Sequence, residues 1–333
     1  MARYTSSSYQ QEIIDELSRQ SFLITYGPGY KGYRLEDNID DILAKQPTRP
    51  DYIWLGHSWL LDGHEGDVDP HPRLKLASTK IPKVAFLNKE YVNLESKLEY
   101  YQKNRCDLVF THHHESSWYS SKTGIPFIFL PFGFDSRKYY CNQSKPTIDM
   151  MFSGMLQNQN PLADQSNIRV RIMNKLFHTV NDYPIVKRKA FKNRSILWNS
   201  IPRKHRAISH RIISRLPIFF KHKYLSGLEY AEHLRATKLS LNTLSPKGLI
   251  SPRVFESMAS GAVVLCECSD HYKRLFPSDC FICFQSDLTN LIECVDWFLD
   301  HEIERKKIAD KAIKFVTENH SWEIRVQKML AQF

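Results

Sequence analysis

Short apolar runs rich in β-branched and aromatic residues alternate along this chain with longer polar stretches of helical period, and this alternation most constrains the fold. A helix between two strands returns the chain parallel to where it began, so the expected class is α/β, with helices covering parallel sheets. Strands are predicted at Phe22–Tyr26, Tyr52–Leu55, Val84–Leu87, Leu108–Thr111 and Phe127–Leu130, and helical stretches at Tyr9–Ser18, Tyr33–Lys45 and Glu90–Asn104. A second series has strands at Ile148–Ser153, Leu239–Asn242, Ala262–Cys266 and Phe281–Phe284. Its helices are a basic one carrying Arg169 and Arg171, then Leu225–Thr237, Val254–Ser260, Leu288–Leu299, Glu302–Thr317 and Trp322–Ala331. At 333 residues the chain exceeds one ordinary core, so two domains are expected. The polar break Cys141–Thr147 places the boundary: residues 1–143 as a first domain, 144–318 as a second and 319–333 as a closing helix.

Hydrophobic residues make up 42% and charged residues 25%, which excludes the disordered class. No apolar run approaches the ~20 residues that cross a bilayer, and the N-terminus has no apolar signal core, so a cytoplasmic protein is expected. Seven cysteines spread over such a chain point to reduced thiols rather than a disulfide framework. Cys266, Cys268, Cys280 and Cys283 have a spacing that could hold zinc, but Cys266 ends one apolar strand and Cys280 and Cys283 sit in another, where buried structural cysteine is the plainer reading. The formal charge of +10 is concentrated in residues 187–223, which carry twelve Lys or Arg and no Asp or Glu. Trp198, Ile212, Leu216 and Phe219 interleave with those charges. Such a segment suits an anionic membrane surface, an anionic acceptor or nucleic acid, or is simply a solvated insertion.

The stretch Ser251–Leu265 (SPRVFESMASGAVVL) combines several agreeing signals. Ser251 suits an N-cap and Pro252 the first helical position, so the free N–H groups of a helix start there and attract anions. Arg253 adds a full positive charge and can fork onto a diphosphate. Glu256, three residues later, lies one turn on and can accept both hydroxyls of a ribose, while Val254, Phe255 and Met258 pack inward. Gly261 then ends the helix in a left-handed conformation. The plainer alternative is an amphipathic helix with an ordinary cap and an exposed Arg–Glu pair.

This stretch resembles the donor motif of group 1 glycosyltransferases of the GT-B fold, in particular their spore-maturation-protein-like branch. ITYGPGYKGY (Ile24–Tyr33), RPDYIWL (Arg49–Leu55), CDLVFTH (Cys106–His112), LPFGFD (Leu130–Asp135), DMMFSG (Asp149–Gly154), LSLNT (Leu239–Thr243) and NHSWEIRVQKML (Asn319–Leu330) match in order along nearly the whole chain. The resemblance implies two Rossmann-like domains facing across a cleft, with acceptor on the first, donor on the second and the last helix crossing back. It also implies that Glu256 binds the donor ribose, that Ser251–Arg253 open the diphosphate-binding helix, and that Ser153 and Gly154 lie at the donor. Many retaining members carry a second glutamate eight positions before Glu256; here Gly248 stands there, beside Lys247, which is expected to neutralise the leaving diphosphate. Such a domain usually opens with a strand, whereas this one opens with a helix, so either a first strand is missing or the chain was cut from something longer.

An inverting transfer needs a base from the first domain, just beyond a strand end. His57 follows DYIWLG, Glu90 follows VAFLNK, and His112, His113, His114 and Glu115 follow LVFT. His113, His57 and Glu90 are the catalytic candidates, although consecutive histidines also make a polar turn. No Asp-x-Asp is read as holding a metal-bound diphosphate, so transfer without a metal is expected, with no cofactor beyond the nucleotide-diphosphate sugar. The acceptor is read as a glycan or a lipid-linked sugar, at the inner face of a membrane if residues 187–223 bind there. Epimerisation or hydrolysis of a sugar nucleotide keeps the same fold. A nucleic-acid-binding protein would leave the donor helix without an account, and nucleic acid is not expected as a partner.

Overall fold

The computed structural model describes residues 9–27, 29–34, 36–56, 74–153, 167–179 and 227–333. It divides into two compact units: unit 1 comprises Met1–Phe134, Leu244–Ser251 and His320–Phe333, and unit 2 comprises Asp135–Thr243 and Pro252–Asn319.

Unit 1 holds a parallel sheet of β1 (Ile53–Leu55), β2 (Lys83–Leu87), β3 (Leu108–Thr111) and β4 (Phe127–Phe129), in that order. Its helices are α1 (Tyr9–Gln20), α2 (Ile39–Ala44), α3 (Leu94–Lys103) and α4 (Ser116–Thr123). Every residue of β2 is buried, as a parallel strand covered on both faces must be. Strand alternation sorts the side chains. Leu55, Ala85, Leu87, Val109 and Phe127 share one core with Tyr101 and Tyr119. Trp54, Phe86 and Phe110 stack together on the opposite face, Trp54 over Phe110 at 6.1 Å between ring centres.

Unit 2 repeats the plan with β5 (Ile148–Phe152), β6 (Thr237–Leu241), β7 (Val263–Glu267) and β8 (Ile282–Phe284), again parallel and in sequence order. Its helices are α5 (Ile168–Thr179), α6 (Gly227–Arg235), α7 (Pro252–Ala259), α8 (Asp270–Lys273), α9 (Leu291–Asp300) and α10 (Glu302–Asn319). Met150, Leu239, Leu265, Phe284, Leu176 and Val295 belong to one core. On the other face α7 seats directly on the sheet: the hydroxyls of Ser257 and Ser240 are buried and 2.8 Å apart. Small side chains let helix and strand approach, and each hydroxyl satisfies the other. Gly261, at φ +88°, turns α7 into β7, the left-handed stop expected of it.

The chain's last helix, α11 (Trp322–Leu330), lies in unit 1 and packs on α1. The Trp322 indole donates to Glu12 Oε2 at 3.2 Å, and Phe134 and Ser321 form a parallel bridge closed by Trp322 N–H on Phe134 O at 2.9 Å.

Three expectations are corrected. Phe22–Tyr26 is not a strand; it runs as coil with Phe22 77% exposed, and it lines, together with Tyr52–Gly56, a cavity of about 420 Å³. Its backbone therefore lacks the ladder partner that would have made it a strand. Tyr33–Lys45 forms a helix only from Ile39, where Asn38 caps it through the N–H groups of Asp40 and Asp41. The thiols are not all reduced: Cys268 and Cys283 are disulfide-bonded. Parallel pairing of β7 with β8 brings them together, Cys268 N–H donating to Phe284 O, across a helical crossover that hides the proximity in sequence. The helices Ser116–Thr123 and Asp270–Lys273 were not anticipated. Among the described residues no group of His, Cys, Asp or Glu is placed to hold a metal ion, and no helix is long and apolar enough to cross a membrane.

Gly133 sits where a Cβ would come within 2.8 Å of His320 O and 3.1 Å of the Trp322 ring. Gly133→Ala is expected to destabilise the protein by about 1–3 kcal/mol, through forced displacement of backbone and a buried indole. An unchanged urea midpoint would show that this packing is looser than drawn.

Candidate functional site

In unit 2 the chemistry gathers at the carboxyl ends of the strands, where open parallel sheets hold their ligands. Ser153 follows β5, Asn242 and Thr243 follow β6, and α7 presents its first turn with Arg253 and, one turn on, Glu256. Glu256 is only 7% exposed, so the alternative of an exposed Arg–Glu pair does not hold. The Tyr230 hydroxyl, from α6, is buried beside Ser153 and Glu256. Burial first, and the Glu256 charge second, push its pKa up, so it stays protonated and able to donate. Arg169 of α5, 4% exposed, donates through Nε to Thr243 Oγ1 at 2.6 Å. Arg169 and Arg253 both act on the hydroxyl of fully buried Tyr272, whose pKa is raised chiefly by burial and then by Cys266 and Glu267; the two guanidiniums oppose that rise. The Tyr272 hydroxyl and Arg253 Nε have no hydrogen-bond partner among the described residues.

Helix α7 starts at Pro252 as predicted, yet Ser251 does not cap it. The Ser251 hydroxyl is buried and has no hydrogen-bond partner among the described residues. The first-turn N–H groups of α7 are thus left without that side-chain cap, beside a guanidinium, an arrangement that suits an anion.

In unit 1 the residues after β2 and β3 form a buried polar chain. Thr111 Oγ1 donates to Glu90 Oε1 at 2.7 Å and accepts from the His113 N–H at 3.1 Å. His113 Nε2 lies 2.7 Å from Lys247 O, which can only accept, so Nε2 carries the proton. Nδ1 accepts from the Glu115 N–H and the Tyr119 hydroxyl, each at 3.3 Å. Burial, with Glu90 and Glu115 adding to it, keeps that tyrosine protonated. Both ring nitrogens of His113 are therefore occupied, and the ring is 2% exposed. Glu90 is fully buried, its Oε2 has no hydrogen-bond partner among the described residues, and burial raises its pKa. His112 is also structural: it donates from Nδ1 to Leu130 O at 2.7 Å, stacks on Phe132, and is pulled down to a pKa of about 4 by burial. His114 is the partly exposed ring of the run, 4.4 Å from His113.

The structure thus brings Ser153, Arg253 and Glu256 together in unit 2, and Glu90, His113 and Lys247 together in unit 1. His57, Gly154 and the basic segment 187–223 lie outside the described residues. So does Asp67-Val68-Asp69, an Asp-x-Asp whose presence corrects the premise on which metal-free transfer was expected. Sequence reasoning gave no role to Tyr230, Arg169, Tyr272 or Thr111. Arg169 was visible only as one charge on a basic helix, and the others carry no local signal, because crossovers bring them to the site.

Residues 203–331 match the family model described as glycosyl transferase-like. Among curated proteins, none matches the chain. Among solved structures, a glycosyltransferase from Rickettsia africae aligns over 96% of this chain and 86% of its own, at 12% identity and a TM-score of 0.57. HepE from Anabaena, solved in complex with UDP and glucose, aligns over 76% of this chain and 72% of its own, at 14% identity and a TM-score of 0.50. Sucrose-phosphate synthase from Thermosynechococcus elongatus aligns over 77% of this chain and 68% of its own, at 10% identity and a TM-score of 0.50. The chain has the GT-B fold of these structures, and its residues 203–331 are glycosyl transferase-like.

Proposed function

We propose that this chain moves a hexosyl or related sugar from a nucleotide-diphosphate donor to a glycan or lipid-linked acceptor. The observation that carries this reading is buried Glu256 one turn after Arg253, inside the segment that matches the glycosyl transferase-like family. Glu256 accepts the two ribose hydroxyls, and the Tyr230 hydroxyl beside it donates to the ligand or steadies the carboxylate. The α7 start and Arg253 take the diphosphate, whose charge grows as the bond to the sugar breaks. HepE, of the same fold, binds UDP and glucose in its solved complex, which supports a uridine or related nucleotide as the donor's leaving group.

The acceptor proton goes to a base at the β3 end of unit 1. His113 is engaged through both nitrogens and Glu90 is fully buried, so His114, the one ring of the run that solvent reaches, and the exposed carboxylate of Glu115 are the groups there that an acceptor hydroxyl can approach, and the imidazole is the better base near neutral pH. The in-order motif matches favour the spore-maturation-protein-like branch. Residues 187–223 would hold an anionic acceptor or the inner surface of a membrane, which keeps the enzyme on the cytoplasmic side.

Calorimetric titration with UDP, GDP, ADP and CDP tests the donor site. At least one is expected to bind the wild type, and Glu256→Ala is expected to bind it about 10- to 100-fold more weakly with an unchanged melting midpoint. Equal affinity in the variant removes the ribose role, and a wild type that binds none of the four removes the transferase reading. Activity that survives EDTA supports transfer without a metal; a loss restored by magnesium or manganese would turn attention to Asp67 and Asp69.

Glu90 supplies a pH test. Its folded-state pKa is raised above the ordinary 4.5, so folding carries a penalty at neutral pH that disappears as pH falls and the buried carboxyl takes up a proton. Glu90→Gln should therefore gain stability over the wild type above the folded-state pKa, and the gain should fade as pH falls toward 4.5. Urea midpoints at several pH values read this directly, and a pH-independent difference would show that the carboxyl is not strained by burial.

A further inference from the structure

Lys247 is a non-glycine residue in the left-handed region, at φ 61° and ψ 25°, followed by Gly248 at φ 73°. Lysine gains nothing intrinsic from that conformation, so surrounding contacts must hold it. Two kinds of contact do. The turn is closed on itself, with Ser245 N–H donating to Leu249 O at 2.8 Å and Gly248 N–H to Ser245 O at 3.2 Å, and Leu249 is buried as its anchor. The Lys247 carbonyl is then held from outside the turn by His113 Nε2–H at 2.7 Å.

His113 is itself held at its backbone N–H and at both ring nitrogens. Its N–H is tied to Thr111 and through Thr111 to Glu90, and Nδ1 receives the Glu115 N–H and the Tyr119 hydroxyl. A ring with Nδ1 occupied as acceptor and Nε2 committed as donor is locked in one tautomer and one orientation. Its one lone pair, on Nδ1, could take a proton only by displacing the Glu115 N–H and the Tyr119 hydroxyl. The Lys247 side chain, by contrast, is exposed.

We propose that His113 is a positioning residue rather than the base: by donating to the Lys247 carbonyl it keeps the 245–249 turn left-handed and so fixes the place of the Lys247 ammonium, the charge this turn offers to an anionic ligand such as a nucleoside diphosphate. The diphosphate part rests on the transferase reading above; the clamp itself does not.

Two measurements separate them. The first needs no nucleotide. Trypsin cuts after lysine only when the backbone can open, so limited proteolysis, read by mass spectrometry, reports the freedom of the Lys247–Gly248 bond. His113→Ala should raise the cleavage rate there about tenfold, the loss expected for one buried hydrogen bond. His113→Gln, whose amide can still donate, should stay near the wild-type rate. Circular dichroism confirms that both variants remain folded, and if the alanine variant does not fold, His113→Phe, which fills the space but cannot donate, takes its place and should show the same rise in cleavage. Lys247→Asn tolerates the left-handed region, so its UDP affinity, unlike that of Lys247→Ala, separates loss of the turn from loss of the ammonium.

The second measurement is steady-state kinetics with UDP inhibition. A positioning role predicts that His113→Ala and Lys247→Ala weaken UDP binding by a similar factor, about tenfold, and that the double variant is no weaker than either single one. His113→Gln should recover most of the loss, with the pH–rate profile unchanged. Unaltered cleavage at Lys247–Gly248 in folded His113→Ala overturns the clamp. A large loss of kcat in both His113 variants, with normal UDP affinity and a lost limb of the pH profile, overturns it in favour of a base. A wild type that binds no nucleoside diphosphate, with the proteolysis result standing, overturns the diphosphate role alone.

Discussion

Every strand in both described sheets pairs in parallel, and the rest of the structure follows from that one constraint. Parallel neighbours cannot be joined by a tight turn, so each connection must cross the sheet, and every strand ends at the same edge of its sheet. Residues far apart in sequence are thereby delivered to a common edge. Ser153, Thr243 and Glu267 lie at or just beyond the ends of successive strands of unit 2, and Asn88, Thr111 and Leu130 do the same in unit 1. Both candidate sites are built on such edges because nothing else in the fold gathers polar groups so densely.

Buried polarity at those edges has to be accounted for group by group. In unit 2 the Ser240–Ser257 pair satisfies itself and lets α7 sit close to the sheet, whereas Arg253 Nε and the Tyr272 hydroxyl are left without hydrogen-bond partners among the described residues. Such groups cost stability when unpaired, and a bound anion with many acceptor oxygens is the kind of partner that would satisfy them. In unit 1 the polar chain from Glu90 through Thr111 and His113 to Lys247 is closed at all but one point, Glu90 Oε2. A chain so nearly closed is rigid, which is what holding a lysine in a left-handed turn requires.

How much could be read beforehand differs by residue. Leu108–Thr111, Ile148–Phe152 and the α7 segment were legible because burial on both faces, or one apolar face at helical period, leaves a local trace. Phe22–Tyr26 carries the same trace and is coil, because a strand also needs a neighbour with a free edge in register, and that is a property of the fold. The Cys268–Cys283 bond was invisible for a related reason: the two residues meet only once β7 and β8 pair. Ser251 was placed at the right position and given the wrong contact, since helix-start chemistry predicts the position but not the direction of a hydroxyl.

The sequence by itself determined the α/β class, the succession of strands and helices, and the position of Arg253 and Glu256 on a helix that starts at Pro252, because local period and helix-start chemistry decide these. Tertiary structure alone decided that Glu256 is buried beside Tyr230, that Arg169 reaches Thr243 at the end of the next strand, and that His113 spends both ring nitrogens on its own chain. Those outcomes depend on which crossovers meet at which sheet edge, and on the tautomer that a carbonyl 134 residues away imposes on an imidazole.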